Sequence, residues 1–308
     1  MTVHPDGPPD ATSVLLPGPW SHVDVSAHGV RLHAAEAGEG PLVLLLHGFP
    51  EFWWAWRHQL VGLAEAGFRV VAPDLRGYGA SDKPPRGYDL PTLSADAAAL
   101  VRALGEQDAV VVGHGWGGLL GWTMAALHPR SVRRLVVLST PHPRRMRAGL
   151  ADPRQRHAWR HMLGFQVPRL PERRLTRADD DPVAELMRRW SGPDWTRTAD
   201  FAEAVGRYRD AARIPQAAYG AMEYYRWAGR SQLRPDGLRY ARRMAVPITA
   251  PTLQLHGALD TCTLPVTARG SGRYVAGDYE WRELPDVGHF PHEESPATVT
   301  AAVTAWAG

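Results

Sequence analysis

The stretch Val110-Val111-Val112-Gly113-His114-Gly115-Trp116-Gly117-Gly118 runs from an apolar strand pattern through a turn of small residues into a helix. A strand-turn-helix connection of this kind is typical of a nucleophile elbow. The central residue, Gly115, needs a strained backbone, and its neighbours must be small so that the turn can close. The stretch therefore predicts an α/β sheet with a functional turn at the carboxyl end of one strand.

Apolar runs and amphipathic stretches alternate on both sides of this turn. Strand patterns occupy residues 42–46, 68–72, 109–112, 135–138, 252–255 and 279–284. Helical patterns occupy residues 54–66, 93–104, 118–127 and 297–306. Continuous apolar runs indicate strands buried on both faces. The alternation therefore predicts the α/β class, with a mostly parallel central sheet that has helices on both faces.

The pattern changes between residues 144 and 246, where arginine-rich helical segments replace the buried strands. The simplest interpretation is a helical lid inserted into one α/β domain. Residues 1–20 hold five prolines and no hydrophobic period, so they predict a flexible N-terminal tail. The predicted division is thus a tail over 1–20, a core over 21–143, the lid over 144–246 and the rest of the core over 247–308.

The composition excludes several classes of protein. The 308 residues are 44% hydrophobic, and the single cysteine, Cys262, excludes internal disulfides and a cysteine-clustered zinc site. The chain has no apolar run long enough to span a bilayer, and residues 1–6 do not resemble a secretion signal, so we expect a cytoplasmic protein without a membrane partner. The basic stretches 143–147 and 172–174 lack interleaved aromatic residues, so no nucleic-acid partner is predicted.

Polar residues follow three further strands of the predicted sheet. The first is followed by His47-Gly48-Phe49-Pro50, and the two near the C-terminus are followed by Gly257-Ala258-Leu259-Asp260 and Gly288-His289. Elbow, then acid, then histidine is the chain order of α/β-hydrolases. With Asp74-Leu75-Arg76-Gly77-Tyr78-Gly79, these motifs resemble the soluble epoxide hydrolases of the α/β-hydrolase fold. The resemblance runs through residues 25–142 and 247–307 and is weaker in the insertion.

The resemblance implies a set of roles and no cofactor. An aspartate in the elbow of that family opens the epoxide as an alkyl ester, and a histidine oriented by an acid activates water to hydrolyse it. On this chain the histidine is His289, its acid is Asp260, and the oxyanion donors are the backbone N–H groups of Phe49 and Trp116. The side chains that donate hydrogen bonds to the epoxide oxygen are then Tyr225 and His161 in the lid.

Gly115 stands where the family has its aspartate, so the chain lacks the expected nucleophile. Four explanations remain open: direct attack by water with His289 as base, another base-catalysed reaction, a silent binding protein for a small apolar ligand, or an engineered trap. Glycine fits the strained turn without cost, which favours a natural residue. Cys262 replaces the nucleophile only if its side chain faces the pocket. Hydrolysis of an epoxide or a similar small apolar substrate is the leading interpretation.

Aromatic residues predict what the pocket binds. Trp53, Trp54 and Tyr224 are expected to contact an apolar substrate beside Trp116. Tyr225 has a rival interpretation as packing within the lid, and His47 is expected to be structural. No His-Glu-x-x-His spacing occurs, so no metal is predicted. A small molecule is therefore the expected partner, and homo-oligomer formation is left open.

Overall fold

The computed structural model describes residues 8–177 and 181–308. An eight-stranded sheet in the order β1-β2-β4-β3-β5-β6-β7-β8 forms its centre. The strands are β1 (Ser21–Ala27), β2 (Val30–Ala37), β3 (Leu42–Leu46), β4 (Arg69–Pro73), β5 (Ala109–His114), β6 (Val132–Leu138), β7 (Thr252–Gly257) and β8 (Tyr279–Leu284).

The six strands from β3 to β8 are parallel, as the apolar runs predicted. Leu44 of β3, for example, pairs with Val71 of β4 and Val111 of β5. Every residue of β3, β5 and β7 is buried. Successive strand side chains point to opposite faces, so the sheet is covered on both sides. The predicted fold class is therefore confirmed.

The edge formed by β1 and β2 was not predicted. These strands pair antiparallel with each other, and β2 pairs antiparallel with β4. His28 and Gly29, both with positive φ, form the turn between them. Only Ala27 of β1 is buried, and its other side chains are exposed or half-buried and partly polar, so β1 lacks a continuous apolar run.

Helices cover the sheet and fill the insertion. The core helices are α1 (Arg57–Glu65), α2 (Leu90–Ala103), α3 (Trp116–Leu127), α12 (Pro265–Ala268), α13 (Pro291–Glu294) and α14 (Pro296–Ala307), where α1 packs on α14 and α2 on α3. Between β6 and β7 lie α4 (Pro143–Gly149), α5 (Pro153–Ala158), α6 (His161–Gly164), α7 (Leu170–Leu175), α8 (Pro182–Trp190), α9 (Ala199–Arg213), α10 (Ala217–Arg230) and α11 (Pro235–Arg243).

Local capping explains where several of these lid helices begin. Asp152 and Asp181 each precede a proline, and each side chain accepts a backbone hydrogen bond from the first turn of the following helix. Thr198 does the same for α9. The described residues between β6 and β7 are thus mostly helical, and the residues between these strands are those predicted to form the lid.

Part of the segment predicted as a flexible tail is packed. Residues 1–7 of that prediction lie outside the described residues. Val14 is only 2% exposed, and its carbonyl accepts a hydrogen bond from the Trp53 indole at 2.9 Å. The Trp20 ring also packs edge-on against Trp53. The described end of the segment is therefore held by tertiary contacts that its proline-rich composition does not reveal.

Candidate active site

The turn after β5 has the geometry of an elbow. Gly115 has φ +53° and ψ −117°, a conformation that costs a side-chain-bearing residue strain and costs glycine little. A Cβ added at Gly115 would meet only the Gly48 Cα, at 3.4 Å. In contrast, a Cβ at Gly113 would lie 2.2 Å from the Gly117 carbonyl oxygen. The turn therefore requires small neighbours and leaves room for a side chain at its centre.

His289 and Asp260 come together as the sequence predicted. The Nδ1 of His289 lies 2.8 Å from Oδ2 of Asp260, whose other oxygen accepts backbone hydrogen bonds from Cys262 and Thr263 at 2.8 Å. A carboxylate accepts, so Nδ1 of His289 carries the hydrogen and Nε2 carries a lone pair.

The electrostatics of this pair follow from its burial. Burial alone would raise the pKa of Asp260, but the neighbouring His289 and His256 hold it well below its usual range. Asp260 is therefore ionised. Burial lowers the pKa of His289 from its ordinary 6.5, and the charge of Asp260 only partly opposes that effect. At neutral pH the ring is an uncharged base held by a carboxylate.

A small cavity of about 50 Å³ connects these groups. It is lined by Phe49, Gly115, Trp116, Leu119, Ser139, Thr140, Pro141, Met146, Trp159, His161, Met162, Trp190, Tyr225, Cys262, Thr263 and His289. The elbow, the histidine and both predicted lid residues therefore share one space between the core and the lid.

A larger cavity of about 330 Å³ adjoins the small one. The two share Trp116, Leu119, Met146, Trp159, Met162 and Tyr225. The remaining lining includes four leucines, Met244 and Trp227, and its charged residues are Arg144 and Arg147. A mostly apolar cavity of this size suits an apolar organic molecule.

Tyr225 lies on α10 at the boundary of both cavities. Its ring packs edge-on against Trp116, with 5.0 Å between the centroids, and against Phe49 at 5.5 Å. Burial raises the pKa of Tyr225 far above its ordinary value, so the hydroxyl keeps its hydrogen at neutral pH. The side chain is therefore a hydrogen-bond donor next to the elbow.

His161 lies in the small cavity, but its hydrogen bonding opposes the predicted donor role. Its Nδ1 is 3.0 Å from the Ala158 carbonyl oxygen, which can only accept, so Nδ1 carries the hydrogen. Burial lowers the pKa of His161 to about 4, and the ring is neutral at pH 7. Nε2 then carries a lone pair and is an acceptor.

Three residues predicted to contact substrate lie elsewhere. Of the described residues that line the two cavities, none is Trp53, Trp54 or Tyr224. The indole of Trp53 is bonded to the N-terminal segment, and Trp54 lies under the Arg57 guanidinium at 3.9 Å. The Tyr224 hydroxyl donates to the Arg76 carbonyl at 2.8 Å. These three aromatic side chains therefore pack within the protein core. The prediction was wrong because the sequence does not show to which side of a loop a ring points.

Trp190, at the end of α8, is a cavity residue that the sequence did not indicate. Its carbonyl accepts a 2.8 Å hydrogen bond from the His289 backbone N–H, and its ring contacts both His289 and His161. Ser139, at φ +53° after β6, also lines the cavity, and its hydroxyl is buried without a partner in the described residues. Neither residue belongs to a recognisable local motif.

Cys262 lines the small cavity, but its chemistry does not suit a nucleophile. Burial raises the pKa of its thiol well above the ordinary value, and the charge of Asp260 adds to that effect. The thiolate is the reactive form of cysteine. The side chain is therefore an inert wall of the cavity at neutral pH.

Glu51, His114 and His292 form a buried cluster beneath the elbow, with possible ligand atoms within 4.8 Å of one another. Nδ1 of His114 lies 2.9 Å from the Glu51 carboxylate, and its Nε2 lies 2.8 Å from the His289 carbonyl. Both ring nitrogens face acceptors, so both carry hydrogens and His114 is an imidazolium. Although burial opposes it, Glu51 raises the pKa of His114. An imidazolium cannot ligate a metal, so we interpret the cluster as an ion pair that supports the loop.

No helix within residues 8–177 and 181–308 combines the length and apolarity needed to cross a bilayer.

Comparison with known proteins places these features in one family. A family model described as alpha/beta hydrolase fold matches residues 41–296. The chain is 31% identical over 298 residues to epoxide hydrolase 3 of Xenopus tropicalis, covering 93% of this chain and 77% of that protein. It is 32% identical over 308 residues to epoxide hydrolase A of Mycobacterium tuberculosis, covering 91% and 94% respectively.

Solved structures agree with the sequence comparison. The crystal structure of epoxide hydrolase A from Mycobacterium thermoresistibile superimposes with a TM-score of 0.76 at 30% identity, covering 93% of this chain and 98% of that one. An epoxide hydrolase from an endophytic Streptomyces gives a TM-score of 0.78, also at 30% identity, with 94% and 95% covered.

Proposed function

Because this chain belongs to the α/β-hydrolase fold family and is epoxide hydrolase-like, we propose that it hydrolyses an apolar epoxide by direct attack of water. His289 is the general base, Asp260 orients it, and Tyr225 donates a hydrogen bond to the epoxide oxygen. The proposal rests chiefly on one observation, the 2.8 Å contact between His289 and the buried Asp260 beside a cavity that Gly115 leaves open.

Gly115 is the reason for proposing direct attack. By resemblance this position holds the family's nucleophilic aspartate, and glycine offers no atom for an ester. The space above the Gly115 Cα would hold a water molecule within reach of His289. Such a one-step route lacks a nucleophile held next to the substrate. We therefore expect it to be slower than the two-step ester route by roughly 10³-fold or more.

The reaction balances with water as the only co-reactant. The water oxygen bonds to an epoxide carbon, the carbon–oxygen bond breaks, and Nε2 of His289 takes the water proton. The developing alkoxide is stabilised by Tyr225 and by backbone N–H groups at Phe49 and Trp116. It then takes up a proton to give the diol, and His289 returns its proton to solvent.

The apolar lining of the larger cavity supports an apolar substrate. The same lining also supports a second candidate, a protein that binds an apolar ligand without turnover, because Gly115 lacks a reactive atom. The two differ in their dependence on His289. A binding protein is indifferent to His289→Ala, whereas the base-catalysed reaction is lost.

The test compares the wild type, Gly115→Asp and His289→Ala on aromatic and aliphatic epoxides in ¹⁸O-labelled water. Direct attack places ¹⁸O in the diol during the first turnover of the wild type. In Gly115→Asp, an ester route would deliver unlabelled carboxylate oxygen in that first turnover. Inactivity of the wild type, or activity that survives His289→Ala, would overturn the proposal.

A further inference from the structure

One buried acceptor atom of a side chain that lines the small cavity has no role in the proposed reaction. It is Nε2 of His161, which is buried and has no hydrogen-bond partner among the described residues. The ring is held between the Trp190 and Phe165 rings, at centroid distances of 5.0 and 5.5 Å. Its orientation is therefore set by packing as well as by the bond to Ala158.

The hydrogen on Nδ1 cannot move to Nε2 without loss. Moving it would place a lone pair of Nδ1 against the lone pairs of the Ala158 oxygen at 3.0 Å. A second proton is also disfavoured, because burial and the nearby His289, Arg189 and Arg160 oppose a positive charge on the ring. His161 therefore offers a fixed acceptor to whatever occupies the cavity.

We propose that Nε2 of His161 accepts a hydrogen bond from a hydroxyl group next to the epoxide, so that the preferred substrates are apolar epoxides bearing such a hydroxyl. This inference rests on the proposed function. Tyr225 binds the epoxide oxygen and His161 binds the neighbouring hydroxyl. Their rings are 6.4 Å apart between centroids, close enough for one small molecule to contact both.

An unpaired buried acceptor is what makes this site selective. A substrate with the hydroxyl pairs Nε2, which otherwise stays buried and unpaired, so this hydrogen bond stabilises its binding and its transition state. We expect the wild type to prefer the hydroxylated substrate by roughly 10- to 100-fold in kcat/KM.

The experiment uses 3-phenylglycidol and its methyl ether. Both have the same phenyl group and epoxide, and a methyl group replaces the hydroxyl hydrogen in the ether. The ratio of their kcat/KM values is measured for the wild type, His161→Phe and His161→Tyr. We expect His161→Phe to abolish the preference and His161→Tyr, whose hydroxyl can donate to the oxygen of either substrate, to reduce it. His157→Phe is the matched control, because His157 is exposed on α5 and lines neither cavity.

Two further measurements separate this inference from the proposed function. The same ratios are measured in the Gly115→Asp background, and binding of unreactive 3-phenylpropanol and its methyl ether is followed by quenching of the cavity tryptophans. A preference for the alcohol that depends on His161 supports the inference even when the wild type does not turn over. Equal binding and turnover of each pair, unchanged in His161→Phe, would overturn it and leave the hydrolysis proposal intact.

Discussion

Two histidines line the same cavity and both carry a hydrogen on Nδ1, yet their surroundings give them different chemistry. His289, on the core loop after β8, donates through Nδ1 to the ionised Asp260. His161, on the lid helix α6, donates through Nδ1 to the neutral carbonyl of Ala158. A carboxylate stabilises an imidazolium and a carbonyl does so far less. One ring can therefore accept a proton during catalysis, and the other can only accept a hydrogen bond.

We expect the largest effect from Asp260→Asn, which replaces the carboxylate that contacts His289 with a neutral amide. An amide holds the ring less well and no longer stabilises its cation, so we expect kcat to fall by roughly 10³- to 10⁴-fold. Steady-state hydration of styrene oxide is the measurement. Asp286→Asn, an exposed position on the loop before His289, is the control, and an equal loss there would mean that loop disruption explains the effect.

Tyr225→Phe tests the hydroxyl that is proposed to donate a hydrogen bond to the epoxide oxygen while His289 acts as the base. Removing one preorganised donor to a developing alkoxide is expected to lower kcat by roughly 10²- to 10³-fold, with a smaller change in KM. The control is Tyr219→Phe on the same helix, whose hydroxyl contacts the Pro85 carbonyl instead. If both variants lose activity equally, Tyr225 acts through lid packing.

The pH dependence of the rate sharpens the comparison because only His289 takes up a proton in the proposed reaction. The base must be neutral, and burial lowers the pKa of His289 below 6.5. We therefore expect kcat/KM to be constant through neutral pH and to reach half its maximum at a pH below 6.5. His161→Phe should leave that midpoint unchanged, because His161 takes up no proton in the proposed reaction. A midpoint above 6.5 would contradict the assignment of His289.

The smallest expected effect is on stability. Burial lowers the pKa of folded His161 to about 4, whereas the unfolded ring has the ordinary value of 6.5, so the unfolded chain binds more protons as the pH falls. Stability is thus retained above pH 6.5 and lost below it. His161→Phe should reduce the loss in unfolding free energy between pH 7 and pH 5 by about 2 kcal/mol. Urea unfolding at both pH values measures this, with His157→Phe as the control.

The part of the site that the sequence predicted consists of residues in the loops that follow strands of the parallel sheet. Gly115, Asp260 and His289 follow β5, β7 and β8, and parallel strands bring their carboxyl ends to one edge of the sheet. β3, β4 and β5 were predicted as well, because each contains a continuous apolar run. The β1–β2 hairpin was missed because its exposed polar residues interrupt that signal.

The residues wrongly assigned to the substrate pocket lie near site residues along the chain, but their side chains point in a direction that was not predicted. Trp53 and Trp54 follow a strand that contributes to the site, yet their rings point into packing with Val14 and Arg57. Trp190 and Ser139 reach the cavity without any local motif. Side-chain direction depends on the neighbours that a fold supplies, so no spacing rule reports it.

The sequence by itself determined the order of strands and helices, the tight glycine turn and the acid and histidine that follow two strands, because periodicity and turn chemistry are local properties. Only the tertiary structure decided which nitrogen of each histidine carries the hydrogen. That choice is made by the hydrogen-bond acceptor that the fold places at Nδ1: the Asp260 carboxylate for His289 and the Ala158 carbonyl for His161. The hydrogen-bond partners of an imidazole determine its tautomer and its affinity for protons, and folding brings those partners to the ring.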